Sequence, residues 1–336
     1  MRRDRTPTMA DIARATGVSP MTVSRAFKSG GLVTKETRDA ILKAAEDLGY
    51  VFDSTASNLR SKKTDFIAVT IPSINNANFA DTVGGLSDVL SAQGFQILLG
   101  YTNYDMQEEE RLIEHLLRRK PQAIAVTGGM HTRRARRLLE NANIPVIETW
   151  DVPADPIGHF VGFSNADAVR SMVDHFVKVG YRRIAFIGGD ASRDTRGTNR
   201  RLGFVNALHD LGLDASRLID AGTPPISMRE GANAMARLLR EYPDTDAVIC
   251  VSDLSAFGAL TECQRRGIAV PETIAIGGFG DYEIGAISVP ALTTINAHAR
   301  KIGERTGALM LDLLTGANEM PHITIEPQLI VRESSR

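Results

Sequence analysis

TMADIARATGVSPMTVSRAFK, residues 8–28, reads as two short helices joined by a tight turn. Thr8 offers a hydroxyl to cap the first helix, and Asp11 stands at the reciprocal capping position three residues on. Ile12 and Ala13 form the apolar side, and the small Ala13 lets a second helix cross closely. Gly17 suits a left-handed turn residue, and Val18 plugs the space between the helices. Ser19 then caps the second helix, with Pro20 at its first position, where a missing N–H costs nothing. Val23 returns to the core. The outer face presents Met21, Thr22, Ser24 and Arg25 near the helix start, the small, polar and basic set used by a helix that reads the major groove. Arg25 can reach guanine edges or phosphate. Any well-capped helical hairpin has a similar pattern, so the charge distribution carries weight. The 336 residues sum to −1, but residues 1–63 carry +5 and the remainder −6. Chance clustering could give that split. A basic head on an acidic body is also the footprint of a nucleic-acid binder.

Working outward, Thr34 caps a third helix that runs to Leu48. It places Ile41, Ala45 and Leu48 on one face, and Gly49 stops it. Three short helices around a small core make a head of residues 1–52. A polar stretch, 53–63, follows. Beyond it the texture changes to short Ile-, Val- and Phe-rich runs: FIAVTIP (66–72), FQILLGYT (95–102), AIAVTG (123–128), PVIETW (145–150), HFVGFS (159–164), RIAFIGG (183–189), AVICVSD (247–253) and IAIGGFG (274–280). Amphipathic helical stretches such as EERLIEHLLRR fill most of the gaps. This alternation predicts parallel sheets buried on both faces. The number of strands suits two doubly wound lobes better than one open sheet. Such sheets bind ligands beyond the carboxyl ends of their strands, so two facing lobes enclose a cleft.

The composition, 43% hydrophobic and 24% charged, is that of an ordinary globular chain. Cys250 and Cys263 lie in apolar segments without CxxC or zinc spacing, and they read as buried free thiols. No metal or cofactor is expected. No apolar leader and no run of membrane-spanning length is present, which predicts a cytoplasmic protein with no membrane contact. The phosphate-loop, dinucleotide, GxSxG and HExxH signatures are missing, and the seven histidines are scattered. The expectation is therefore a non-enzyme with no catalytic residues. Asp253 ends a strongly apolar strand, where its carboxylate could accept ligand hydroxyls or equally cap the following helix. Arg200 could pair with a carboxylate or two hydroxyls, or be a solvated charge at a helix start. Phe79, Trp150, Phe163 and Phe279 lie at or near strand ends, placed to stack on a sugar face or to fill core.

The spacing of Ala13, Gly17, Val18, Ser19, Thr22, Val23, Ser24 and Arg25, with the closing Leu48-Gly49-Tyr50, resembles the head of the LacI/GalR family of bacterial repressors. The likeness continues through PSINNANFADTVGGL, NRRLGFVNAL, VSDLSAFGAL, VPETIAIGGFGD and PALTTI. It implies a small all-α helix-turn-helix head plus an α/β body of two doubly wound parallel-sheet lobes, like a type I periplasmic binding protein. The N-lobe is expected at 64–163 plus 296–322 and the C-lobe at 164–295 plus 323–336. Double-stranded palindromic operator DNA is the implied partner, read by Ser19, Pro20, Met21, Thr22, Ser24 and Arg25, with Pro20 and Met21 setting specificity. Segment 54–61 would be a hinge helix that contacts DNA through Ala56, Leu59 and Arg60, with Leu59 as a minor-groove wedge. Taken alone, it is too short for a stable helix and reads equally as a flexible linker. Phe52-Asp53-Ser54 also departs from the Pro-Asn-Arg/Thr common there, which puts contacts at 53 and 54 in doubt.

In the body the resemblance assigns effector contacts to Asp253 and Arg200. It adds Asn78, where many relatives carry an aromatic, implying a more polar pocket. Gluconate repressors are the nearest likeness, through NYDMQEEERLIEHLL, the His131-Thr132 pair and ECQRRGIAVPETIAIGGFGDYEIG. A sugar acid needs a cation, and the candidates are Arg200, Arg196, Arg193, His131 and Arg133. The chain ends IVRESSR without a leucine heptad, so the expected assembly is a homodimer matched to a two-fold operator. A periplasmic sugar-binding protein and an α/β enzyme fused to a DNA-binding head are the other readings.

Overall fold

In the computed structural model, residues 6–27, 32–52, 64–189, 193–317 and 321–336 are described. The chain divides after Lys63 into two units. The expected hinge contacts Ala56, Leu59 and Arg60 lie outside the described residues.

The first unit holds α1 (Met9–Thr16), α2 (Pro20–Ala26) and α3 (Lys35–Leu48). The Asp11 carboxylate accepts from the Thr8 amide at 2.9 Å and the Thr8 hydroxyl at 2.7 Å. Ser19 Oγ accepts from the Thr22 amide at 3.2 Å. Gly17 and Gly49 end α1 and α3 with φ of 68° and 67°, which a residue with a Cβ adopts only at a cost. Ile12, Val23 and Ile41 are fully buried, and Ala13, Ala26 and Ala45 keep the three helices close. Phe52, read from sequence only as a departure, stacks on Phe27 with ring centroids 4.9 Å apart and packs the base of this small core.

The second unit begins with β1 (Phe66–Ile71), α4 (Ala77–Ser91), β2 (Gln96–Tyr101), α5 (Met106–Leu117), β3 (Ile124–Thr127), α6 (Arg133–Glu140), β4 (Val146–Thr149) and β5 (His159–Gly162). It continues through α7 (Asn165–Val179), β6 (Ile184–Gly188), α8 (Thr195–Asp210), β7 (Leu218–Asp220), α9 (Met228–Glu241), β8 (Ala247–Cys250), α10 (Asp253–Arg265) and β9 (Ala275–Gly277). Then come α11 (Glu283–Ile287), β10 (Thr294–Asn296), α12 (Ala299–Leu314), β11 (Ile323–Thr324) and β12 (Gln328–Ile330). All eight apolar runs carry strands. They form two parallel sheets, β11-β5-β4-β3-β1-β2 and β7-β6-β8-β9, and β10 pairs antiparallel with β12.

Strand alternation distributes the core over both faces of each sheet. Ile67, Val69 and Ile71 face α4 and α12, whereas Ala68, Ile124 and Val126 face Ile113 and Leu139 from α5 and α6. In the second sheet Ile184 and Phe186 meet α7 and α8, and Ala185, Ile187 and Val248 meet α9 and α10. Cys250 and Cys263 are buried and free. Burial pushes the Cys263 thiol up to about 12, so it is unreactive at neutral pH.

The expected lobe border at 322/323 needs correction. Ile323 and Thr324 pair with Val161 and Gly162 in the first sheet, so the chain leaves that lobe only after residue 324. The pairing covers what would otherwise be the open edge of β5, and a two-residue strand is too short to leave a periodic signal. Helices α4 and α12 touch backbone to backbone at Gly303, where a Cβ would lie 1.9 Å from the Thr82 carbonyl oxygen. The Thr82 hydroxyl bridges that crossing by donating to Ala299 O at 3.0 Å.

Candidate functional site

Two sites follow from these elements. In the first unit, Ser19, Pro20, Met21 and Arg25 are exposed on α2, and Thr22 and Ser24 are half-buried beside them. Met21 is 60% exposed. The arrangement presents one short capped helix with its N-terminal residues outward, the form that enters a major groove.

In the second unit, the carboxyl ends of strands from both sheets converge on a cavity of about 170 Å³. Its N-lobe wall carries Asn76, Asn78 and Phe79 at the start of α4, Tyr104 after β2 and Trp150 after β4. Its C-lobe wall carries Asp194, Arg196 and Arg200 from the first turns of α8, with Val251 and Ser252 after β8 and Phe279 and Tyr282 after β9. The loop Pro224-Pro225-Ile226-Ser227 completes it. Trp150 is fixed by its indole N–H, which donates to the Thr82 hydroxyl at 3.1 Å. Across the cleft, the Tyr282 hydroxyl donates to Asn76 Oδ1 at 2.6 Å and Arg193 pairs with Asp105 at 3.3 Å.

The electrostatics of the cavity are cationic. Among the described residues neither Arg196 nor Arg200 has a carboxylate at ion-pair distance, and Asp194 is the one acid in the lining. Arg200 Nε donates to Asn165 Oδ1 and Nη1 to Val251 O, both at 2.9 Å, and its guanidinium lies 3.5 Å over the Phe279 ring. Burial draws its pKa down to about 10, with Asp194 holding it up and Arg196 pushing it down, so it stays charged at neutral pH. Burial raises Tyr104 to about 12 and Tyr282 further still, leaving both as neutral hydroxyls.

Of the residues named from sequence, the cavity gathers Asn78, Phe79, Trp150, Arg196, Arg200 and Phe279. It does not gather the rest. Phe163 is fully buried behind it, edge-on to Trp150 and stacked on Phe279. Asp253 is also fully buried behind the wall. It accepts from the Tyr282 amide at 2.7 Å and the Thr294 hydroxyl at 2.6 Å, tying α10 to α11 and β10. His131 is consumed by two acids, Glu109 Oε2 at 2.9 Å from Nδ1 and Glu148 Oε1 at 3.5 Å from Nε2. Burial lowers its pKa, but the bonds to Glu109 and Glu148 outweigh that and lift it to about 9. Arg133 sits exposed at the start of α6, and Arg193 lies at the cleft mouth on Asp105. Tyr104, Asp194, Ser252 and Tyr282 line the cavity without having been anticipated. Only their positions just beyond strand ends could have singled them out.

The Asp253 environment sets a pH dependence. Burial raises its pKa from 3.8 to about 6, despite the bonds from Thr294 and Tyr282 that lower it. The folded state therefore holds this proton more tightly than the unfolded chain. That contribution is full below pH 4 and is lost as pH rises through about 6. Asp253→Asn keeps Oδ1 as an acceptor for the Tyr282 amide, lets the Thr294 hydroxyl turn to accept from Nδ2, and does not ionise. Denaturant unfolding should show the variant gaining on the parent between pH 4 and 7 by up to about 3 kcal/mol. A difference that is flat across that range would mean that Asp253 is solvated.

With this geometry in hand, comparison with known proteins is direct. Residues 8–53 match the family described as bacterial regulatory proteins, lacI family, and residues 173–335 match the periplasmic binding protein-like domain. The chain is 36% identical to the HTH-type transcriptional regulator GntR of Pseudomonas aeruginosa over 92% of its own length and 90% of that protein. A LacI-family regulator from Silicibacter pomeroyi superimposes with a TM-score of 0.92 at 31% identity, covering 98% of this chain and 99% of the other. The transcriptional regulator CelR, solved as a cellobiose complex, aligns with a TM-score of 0.70 at 28% identity, over 98% and 99% of the two chains. A DNA-reading helix and a cleft at the strand ends, joined in one chain with these similarities along nearly its whole length, belong to a DNA-binding transcription regulator: this chain is a member of the lacI family of bacterial regulatory proteins.

Proposed function

We propose that this regulator is a cytoplasmic, homodimeric repressor whose operator affinity is set by a small sugar acid, of the gluconate type, bound unchanged in the cleft. The observation that carries the reading is the cavity's charge among the described residues: two guanidinium groups and one carboxylate, with neither guanidinium ion-paired there. A neutral sugar leaves that excess uncompensated, and an aldonate supplies one carboxylate and a row of hydroxyls. Phe79 and Trp150 offer apolar faces, and Asn76, Asn78 and the neutral tyrosines offer polar edges for the hydroxyls. CelR, with cellobiose in its complex, gives a precedent for a sugar effector among related regulators. In the first unit, Ser19, Pro20, Met21, Thr22, Ser24 and Arg25 read one half of a palindromic site, and two copies read both. Segment 53–63, with Leu59, joins the reading unit to the effector unit.

Linkage makes the effect reciprocal: whatever the acid does to operator affinity, the operator does to acid affinity, typically five- to about 150-fold. Fluorescence anisotropy on a selected palindromic site at fixed salt tests this with gluconate, glucitol and glucose. Gluconate alone should shift the midpoint. A response to glucose and none to any acid sinks the anionic reading. Arg25→Ala should weaken operator binding by roughly 1–3 kcal/mol and leave gluconate titration of the DNA-free protein as it was. Equal loss of both would mean that the variant has misfolded.

A further inference from the structure

Arg196 and Arg200 both line the cavity, and their surroundings give them different work. Arg200 is committed: Nε and Nη1 already donate at 2.9 Å to Asn165 and to Val251 O, and one face of the guanidinium lies on Phe279. Of the five N–H groups, one on Nη1 and two on Nη2 remain. A carboxylate prefers two parallel N–H donors from one edge of a guanidinium, and on Arg200 the Nε–Nη2 edge is already broken by the bond to Asn165. Arg196 is the reverse. Its one bond is long, 3.4 Å from Nη1 to Thr127 O, so the Nε–Nη2 edge has no acceptor among the described residues. The residue is only 6% exposed, and Nε and Nη2 are not among the buried atoms left without a partner, so what remains open of it is this edge, facing the cavity. An open, unused pair of charged donors in the lining is placed to take a ligand atom pair. The group is steadied from the opposite lobe, 5.7 Å from the Phe79 centroid and 5.9 Å from that of Tyr104. Gly128, at φ 100°, leaves room for it. A Cβ there would lie 3.0 Å from Arg196 Nη1.

We infer that the carboxylate of the effector docks on the Nε–Nη2 edge of Arg196, and that Arg200 takes ligand hydroxyls through Nη2 and holds the pocket wall. This rests on the sugar-acid reading above and sharpens it, making Arg196 the residue that selects acids over polyols. It also places the charged contact at a lobe-to-lobe junction, because Arg196 belongs to α8 whereas Phe79, Tyr104 and Thr127 belong to the other lobe. A ligand anion there reports directly on closure of the cleft.

Calorimetric titration of the full chain with gluconate and with glucitol, which carries CH2OH in place of the carboxylate, separates the possibilities. The parent should prefer gluconate. Arg196→Gln should lose roughly ten- to a hundredfold in gluconate affinity and change little toward glucitol, erasing the preference. Arg196→Lys, which keeps the charge and loses the paired edge, should recover part of it. Arg200→Gln should weaken both ligands alike and leave the preference standing. If Arg200→Gln erases the preference and Arg196→Gln keeps it, the assignment of roles is overturned and the sugar-acid reading survives. If the parent itself shows no preference, the sugar-acid reading fails. If Arg196→Gln melts far below the parent, the Lys variant decides: gluconate binding at parental strength overturns the paired-edge role.

Discussion

Arg200→Ala will weaken effector control while lowering the melting temperature only modestly. The two effects part company because the side chain is both held and penalised. Its removal leaves Val251 O and Asn165 Oδ1 without their donor and uncovers the Phe279 face. Each stranded buried acceptor costs about 1–3 kcal/mol, and the lost cation–π contact up to about 2. Against that, a guanidinium whose pKa burial has drawn to about 10 is strained in its charged form. Relief of a shift that size returns about 3 kcal/mol. The terms for stability oppose each other, so the net loss is smaller than the sum of the broken contacts. For the ligand there is no such offset, and a hydrogen bond from a charged donor is worth about 1.5–3 kcal/mol. Calorimetry should therefore show gluconate affinity down by roughly ten- to a hundredfold. Thermal melting should move by a few degrees. Gluconate affinity within about threefold of the parent would remove Arg200 from the site.

Gly303→Val will have the largest effect on stability. A Cβ at 303 lands 1.9 Å from Thr82 O, which is backbone and cannot swing aside, so α4 and α12 must separate. Overpacking of this kind costs about 1–3 kcal/mol and more where backbone is displaced. For a body of this size that lowers the melting temperature by up to roughly 10 °C. Gly303→Ala gives a test of sign. In an open helix the change to Ala stabilises by up to about 1 kcal/mol, whereas here it should destabilise. Function should fail with the fold, because the Thr82 hydroxyl that spans this crossing also holds the Trp150 indole in the cavity wall. An unchanged melting temperature for both variants would show that the helices do not touch at Gly303.

These expectations draw on different depths of information. The three-helix head was legible because its signals are local: caps at Thr8 and Ser19, a turn glycine, and one apolar face per helix, each decided within a few residues. The eight principal strands were legible for the same reason, since burial on both faces leaves an unbroken apolar run. The short pieces that join and edge the lobes, β7, β10, β11 and β12, were not, being two or three residues long with no period to read.

The cavity was legible as a place and only partly as a list. Ending a strand puts Arg200, Trp150, Phe279 and Asp253 in the right neighbourhood. Which side of the strand end a side chain takes depends on donors far away in sequence. Thr294 and the Tyr282 amide hold the Asp253 carboxylate, and Glu109 and Glu148 consume the charge of His131. Sequence by itself thus determined the principal elements, their order, the DNA-reading helix and the family. Tertiary structure alone decided which cations remain unpaired at the cavity, because pairing is a matter of distances between residues that the chain keeps far apart.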